Sequence, residues 1–129
     1  MAAIRQAEST TTGQICVHVA TEKVGDAQAA AAATFAQHGL AATSHRNAVL
    51  IFVAPSSRSF AVYGDSAVHQ RCGDDFWRTT VAEMQAHFRA GSVTEALEAG
   101  IGRIGATLAA HFPLAAGEAQ ANDLPDSPI

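Results

Sequence analysis

An uninterrupted apolar run, AVLIFVA at residues 48–54, constrains this chain more than any other feature. Seven consecutive apolar residues, several of them β-branched, are typical of a strand that is covered on both faces. The charged Arg46 precedes the run and Pro55 follows it, so the strand is short. The run therefore predicts the central strand of a sheet, with a packed layer on each side.

Two further segments predict the neighbouring strands. Residues 14–20 alternate, with Ile15 and Val17 facing one way and Cys16 and His18 the other, and no residue of the segment is charged when His18 is neutral. Residues 58–63 alternate as well, and the short Pro55-Ser56-Ser57 turn predicts an antiparallel hairpin with the central strand. A helical crossover between the first two strands predicts that they are parallel and that the connection is right-handed.

The remaining segments predict helices. Residues 2–10 indicate a short helix, and an alanine-rich helix runs from the N-cap Asp26 to His38, with Gly39 after its end. Residues 65–72 are expected to form a loop or a single helical turn. Two amphipathic helices follow, one from Asp74 or Asp75 and one from a capping box of Ser92 and Glu95. Their buried stripes are Trp77, Val81, Met84 and Phe88, and then Leu97, Ile101, Ile104 and Leu108.

Together these elements predict an α/β fold, a three-layer sandwich with a small mixed sheet of three to four strands and helices on both faces. The predicted domain spans residues 1–113. Residues 114–129 contain two prolines, three acidic residues and no periodic apolar stripe. They are expected to form a disordered tail.

Composition and charge exclude several functional classes. The 129 residues are 48% hydrophobic with a net charge of −4, which excludes wholesale disorder and offers no basic footprint for nucleic acid. No run reaches the roughly 18 apolar residues of a membrane span, and the first residues lack the apolar core of a signal peptide. A cytoplasmic location is therefore expected. Two cysteines cannot build a disulfide framework.

The order and spacing of several short motifs resemble the TPM domain family over residues 4–113. These motifs are Thr12-Gly13-Gln14-Ile15, Arg46-Asn47-Ala48-Val49-Leu50-Ile51, Tyr63-Gly64-Asp65, Gly73-Asp74-Asp75-Phe76-Trp77 and Phe88-Arg89-Ala90-Gly91. The resemblance, to the short soluble bacterial type of the family, implies the three-layer fold given above. Acid phosphatase activity and calcium binding have been ascribed to some family members. Bacterial members often neighbour LemA-type membrane proteins.

Three carboxylates form the candidate metal site: Asp65, Asp74 and Asp75. If the segment between them folds back, they meet at one edge of the sheet, where hard oxygen ligands suit a weakly bound Ca²⁺ or Mg²⁺. Such a metal would also polarise a phosphoryl oxygen. The simpler alternative, which we favour, is that Asp74 or Asp75 caps a helix.

Other candidate residues have simpler structural explanations. Cys72 and Arg78 have the C-x5-R spacing of cysteine phosphatases, but the intervening carboxylates would repel a phosphate and favour coincidence. His69 would serve as a general acid or base near the acidic cluster, or is simply exposed. His18 is expected to be a core histidine. Arg46 and Asn47 are expected to tie down backbone groups, with a ligand role as the alternative.

No complete catalytic constellation can be assembled from these residues. The sequence therefore predicts a non-catalytic TPM-type binding module that binds a divalent cation weakly and docks on a protein partner. The resemblance suggests a membrane-associated, LemA-type partner. The alternative is a weak metal-assisted acid phosphatase. Neither hypothesis includes nucleic-acid binding or a membrane span of the chain itself.

Overall fold

A computed structural model describes residues 11, 13–40, 46–57 and 59–112. Its elements, in chain order, are β1 (Gln14–Val19), α1 (Ala27–Gln37), β2 (Ala48–Ala54), a 3₁₀ turn (Pro55–Ser57), β3 (Ser59–Gly64), α2 (Ser66–Arg89) and α3 (Val93–His111). The helix predicted at 2–10, the domain end at 113 and the tail predicted at 114–129 lie outside the described residues.

The three strands form one mixed sheet in the order β1-β2-β3. β1 pairs with β2 in parallel, with Gln14 opposite Ala48. β2 pairs with β3 in antiparallel fashion, with Val49 opposite Gly64. The predicted strand positions and pairing directions are confirmed, because the apolar run of β2 and the short Pro55–Ser57 connection leave little other choice.

The sheet is covered on both faces, and every residue of β2 is buried. Its alternating side chains divide between two clusters. One face packs against α1 through Phe35, and the other packs against α2 and α3 through residues such as Met84 and Ile101. Ile101 is 1% exposed, as its place in the apolar stripe predicts. The predicted three-layer α/β arrangement is therefore confirmed.

Helix α1 has the ends that its sequence predicts. The Asp26 side chain accepts a hydrogen bond of 3.1 Å from the Ala29 amide, which satisfies one of the amides at the start of the helix. Gly39 follows the helix with a φ of +65°, the left-handed conformation that favours glycine. Between these ends the helix is almost all alanine, so its backbone can approach the sheet closely.

Helix α2 begins earlier than the sequence predicts. The expected loop or single turn at 65–72 is wrong, because Asp65 is an N-cap whose side chain accepts from the Ser66 amide, and a helical segment follows at once. Gly73 interrupts the helix with φ +75° and ψ 175°, and the helix resumes at residue 74. The helix predicted from Asp74 or Asp75 is thus the second part of a longer, kinked element.

The start of α3 also differs from the prediction. Ser92 occupies the N-cap position but makes no side-chain capping hydrogen bond, so the predicted capping box is wrong. Ser92 has φ −102° and ψ 75°, outside the extended conformation usual for an N-cap. The Glu95 carboxylate instead lies 3.9 Å from Nδ1 of His87.

The two predicted apolar stripes are buried only in part. In α3, Ile101, Ile104 and Leu108 are buried and Leu97 is half-buried. In α2 only Met84 is fully buried, and Trp77, Val81 and Phe88 are half-buried against the core. Val81 and Phe88 retain exposure because they line an open groove, described below.

Thr11 joins the two ends of the described chain. Its buried hydroxyl lies 3.0 Å from the Leu108 carbonyl oxygen and 2.5 Å from that of Phe112, and it accepts a hydrogen bond from the Gly13 amide. The Leu108 carbonyl also accepts a hydrogen bond from the Phe112 amide, whereas the Phe112 carbonyl lies past the last turn of α3, so the single hydroxyl hydrogen adds a donor at the end of the helix.

Candidate functional site

An ion pair between a buried carboxylate and a half-exposed arginine lies where β3 leaves the sheet. Asp65 is 5% exposed, and its carboxylate accepts two hydrogen bonds from Arg46, of 2.8 Å from Nε and 2.9 Å from Nη2. Arg46 itself is about half exposed and has a φ of +52°, a left-handed conformation that is uncommon for a residue other than glycine. The bidentate geometry and this backbone conformation hold the guanidinium at the entrance of β2.

The Asp65 carboxylate is engaged in structural contacts on both oxygens. Besides the Arg46 bonds, Oδ1 accepts a 2.7 Å hydrogen bond from the Ser66 amide. The hydrogen bond to Asp65, and then its negative charge, raise the already high pKa of Arg46. The sequence predicts that Arg46 and Asn47 tie down backbone groups; the Arg46 guanidinium binds the Asp65 carboxylate instead, and Asn47 beside it is fully buried.

This ion pair lies at the amino end of the two parallel strands. Gly64 pairs with Val49, and the Asp65 amide donates to the Ala48 carbonyl at the start of β2. Ligands of open α/β sheets usually bind at the opposite end, outside the carboxyl ends of the parallel strands. Because β3 runs antiparallel to β2, its last residues lie at the amino end of the parallel strands. Asp65 is therefore not at the usual ligand-binding end of the sheet.

The structure describes the side chains of two of the three predicted metal ligands, Asp65 and Asp75. Asp75 is exposed on α2, and its carboxylate lies 3.6 Å from the Arg78 guanidinium. The side chain of Asp74 lies outside the described part of the chain. Within the described residues, no three histidine, cysteine or acidic side chains are grouped so as to hold a metal ion. Asp65 and Asp75 each face an arginine, whose positive charge disfavours binding of a cation at the same carboxylate. The metal site stays a prediction.

An aromatic cluster covers the last residues of β3. A Cβ atom at Gly64 would lie only 2.5 Å from the Trp77 ring, so glycine is what allows this ring to lie on the strand. His69 is exposed, with ring centroids 5.3 Å from Trp77 and 6.4 Å from Tyr63. Two of the resembling motifs, at 63–65 and 73–77, thus meet through Gly64 and Trp77. These contacts give His69 a packing role.

Cys72 has the properties of a packed thiol. It ends the first segment of α2 and contacts the core cluster beneath the helix. Burial raises its pKa, whereas a cysteine phosphatase needs a lowered thiol pKa. Arg78, the other member of the C-x5-R spacing, is exposed and faces Asp75. The interpretation of this spacing as coincidence gains support from both observations.

His18 lies half-buried on the α1 face of the sheet. Its ring stacks on Phe52 with centroids 5.3 Å apart, and the His38 ring lies 6.0 Å away. These contacts agree with the prediction of a core histidine. Cys16, the neighbour of His18 on β1, is fully buried.

A groove of about 840 Å³ opens at the other end of the sheet, beyond the last residues of β2. Its walls come from β2, β3, the end of α2 and the start of α3. The large apolar lining residues are Val53, Phe60, Val81, Phe88 and Val93, and the polar ones are Ser59, Gln85 and Arg89. This position matches the usual ligand-binding end of an open α/β sheet. The sequence analysis did not predict this groove.

The groove exposes apolar surface and carries one kind of charge. The rings of Phe60 and Phe88 contact each other with centroids 4.7 Å apart, and Val93 is 44% exposed. Among the described residues of the lining, Arg89 is the one that is charged. None of these described residues is a carboxylate, a histidine or a cysteine, so they offer a binding surface without an acid-base or nucleophilic group.

None of the described helices is long and apolar enough to cross a lipid bilayer.

A three-stranded mixed sheet with one helix on one face and two on the other defines a small three-layer α/β domain. The family model of the TPM domain matches residues 1–107 of this chain. The chain therefore belongs to the TPM domain family, as the resemblance predicts. No curated protein matches the chain.

Two solved structures have a similar fold. The NMR structure of the BA42 protein from the psychrophilic bacterium Bizionia argentinensis is 35% identical, with a TM-score of 0.87. That match covers 96% of this chain and 84% of BA42. The solution NMR structure of the N-terminal domain of a protein from P. gingivalis is 18% identical, with a TM-score of 0.68 over 86% of this chain and 72% of that one. The second likeness supports the fold alone.

Proposed function

We propose that this TPM domain is a non-catalytic binding module that docks on a protein partner through the groove between β3, α2 and α3. The observation that carries the proposal is the lining of this groove, where Phe60, Phe88 and Val93 offer apolar surface to solvent. Aromatic side chains that are partly exposed around a groove are typical of the surfaces that proteins use to contact partners. The LemA-type, membrane-associated partner suggested by the resemblance is the first one to test.

The alternative, a weak metal-assisted acid phosphatase, needs groups that the described residues do not bring together. Cys72 has a raised pKa, and Asp65 is occupied by Arg46 and by the Ser66 amide. A metal-assisted mechanism would have to begin by separating Asp65 from Arg46. Weak binding of Ca²⁺ or Mg²⁺ at Asp65, Asp74 and Asp75 stays a prediction beside the docking function.

A photo-crosslinking experiment in the native host tests docking. A photoreactive amino acid replaces Val93 in the groove, and in a matched variant it replaces Ala106, which is exposed farther along the same helix. We expect one discrete adduct with a protein from position 93 and none from position 106, with the partner identified by mass spectrometry. Equal labelling from both positions, or none from position 93, would contradict the proposal.

A phosphatase assay separates the two functions. Purified, metal-depleted protein is incubated with p-nitrophenyl phosphate, without metal and with Mg²⁺ or Ca²⁺. A chelator is then added to the samples that contain metal. We expect no turnover above that of an Asp65→Asn control. Turnover that requires the metal, disappears with chelator and is lost in Asp65→Asn would favour the enzyme instead.

A further inference from the structure

We infer that the groove recognises an acidic segment of the partner that presents a large apolar side chain. The apolar side chain would pack against Phe60 and Phe88, and carboxylates beside it would lie near Arg89 and the first turn of α3. The inference rests on the proposed docking function and adds the chemistry of the partner.

The apolar half of this recognition follows from the shape of the groove. Its volume of about 840 Å³ lies within the range of pockets that enclose ligands, about 300–1,000 Å³. The Phe60 and Phe88 rings are half-buried, so each presents carbon surface both to the core and to the groove. Val93 adds its exposed side chain at the rim. Burying these surfaces together favours an apolar side chain over a polar one.

The acidic half follows from a comparison of the arginines. Four of the five arginines in the described part of the chain have partners. Arg46 binds Asp65, Arg78 faces Asp75, Arg103 binds Glu83, and Arg71 donates to the His111 carbonyl. Arg89 is exposed in the groove, with no ion-pair or hydrogen-bond partner among those same residues. Its guanidinium is thus available to a carboxylate from outside the domain.

The start of α3 offers hydrogen-bond donors to the same segment. The first amides of a helix lack partners within it, and here the Ser92 side chain does not cap them. Glu95 also places a carboxylate in this turn, 3.9 Å from Nδ1 of His87, so the preference for an acidic segment depends on Arg89. Arg89, as a cation at the end of α2, also stabilises that helix, which explains a positive charge at this position. That stabilisation does not explain why an arginine is the one charged residue among the described residues of the lining, in a chain with 12 acidic and 8 basic residues.

The experiment measures the fluorescence anisotropy of labelled peptides with the full chain. The probe is an octapeptide of sequence DEDFLEDE. One control peptide has lysine at every acidic position, and a second has alanine in place of phenylalanine and leucine. We expect the probe to bind about tenfold more tightly than either control, because each control removes one half of the recognition. Raising the salt concentration should weaken binding of the probe and of the alanine control, which keeps all the acidic residues, and should not weaken binding of the lysine peptide.

Matched variants test the location. Arg89→Glu and Val93→Glu should each weaken binding of the probe about tenfold, because each places a carboxylate in the groove. The controls Arg78→Glu and Ala106→Glu make the same charge changes at exposed positions outside the lining and away from the first turn of α3, and should stay within about twofold. Thermal melting checks that each variant folds, and Arg89→Gln replaces Arg89→Glu if the latter does not.

Several results would overturn the inference. Among them are absence of probe binding at about 1 mM, equal binding of the lysine peptide, or equal loss in the control variants. Binding that appears only after residues 114–129 are deleted would show that the groove takes a segment of its own chain instead. A discrete adduct from position 93 without any peptide preference would refute the acidic chemistry and leave the docking function intact. Absence of both would refute both.

Discussion

Replacing Gly64 by alanine tests how closely Trp77 packs on β3. The new Cβ would lie 2.5 Å from Cη2 and Cζ2 of Trp77 and 3.2 Å from Cγ1 of Val68. An indole ring held in the core cannot retreat by bending, as a flexible chain end would, so the ring or the strand must shift. Such overpacking costs about 1–3 kcal/mol. Replacing a strand glycine by alanine returns about 0.5–1 kcal/mol through lower chain entropy in the unfolded state. We expect a net loss of about 1–2 kcal/mol.

A double-mutant cycle isolates the contact. In Trp77→Phe the two clashing carbon atoms are gone, so Gly64→Ala should become neutral or stabilising in that background. The coupling between the two changes should then be about 1–2 kcal/mol. Urea unfolding followed by far-UV circular dichroism measures all four proteins, since the chain has one tryptophan and fluorescence would report only two of them. An equal cost of Gly64→Ala in both backgrounds would refute the reasoning.

Four further predictions concern the glycines of α3, Cys72, the segment 115–129 and the acidic residues near Asp65. Gly102→Ala should stabilise the protein in urea unfolding by up to about 1 kcal/mol, because its helix position is open. Gly100→Ala should instead destabilise the protein by up to about 2 kcal/mol, because its Cβ would meet the buried side chain of Met84. Equal effects of the two substitutions would contradict the close contact between Gly100 and Met84. Because burial raises its pKa, Cys72 should react with iodoacetamide more slowly than free cysteine at mildly alkaline pH, and Cys72→Ser should leave any phosphatase activity unchanged. Deleting 115–129 should shift Tm by less than about 5 °C. In a calcium titration followed by amide chemical shifts, the changes should cluster at residues 64–76 and become smaller in Asp65→Asn. Changes spread over all surface acids would argue against a cation site.

The Asp65→Asn variant of the calcium titration changes more than a candidate metal ligand. Asp65 caps α2, so Asp65→Asn alters a helix N-cap as well as a candidate ligand. Asparagine is itself a good N-cap and keeps an oxygen for the Ser66 amide. The substitution therefore removes mainly the charge opposite Arg46. The melting temperature of the variant without calcium measures that structural contribution separately.

The sheet and its two layers could be predicted because their signals are local. The apolar run of β2 and the alternation in β1 and β3 each fix which side chains face which layer. The two ends of α1 could be predicted in the same way, because the N-cap Asp26 and the left-handed Gly39 depend only on residues adjacent in the sequence. These features follow from patterns shorter than ten residues.

The start of α2, the start of α3 and the groove depend on contacts between distant elements. Asp65 caps a helix while it also binds Arg46, 19 residues earlier, and no spacing rule indicates that pair. Ser92 has a capping sequence, yet its backbone leaves the usual N-cap conformation. The groove combines residues from Val53 to Val93, and the Phe88-Arg89-Ala90-Gly91 motif is the one local signal that marks its position.

The Thr11 contact has a geometric consequence for anything attached to this domain. It connects Thr11 to Leu108 and Phe112, which lie 97 and 101 positions later in the sequence. The chain therefore enters and leaves the described fold at the same place. Helix α3 begins at the groove and ends at this contact, and its 19 residues span about 28 Å. Thr11 and Phe112 therefore both lie at the end of α3 away from the groove. An attachment to the described fold at that end would hold it with the groove facing outward.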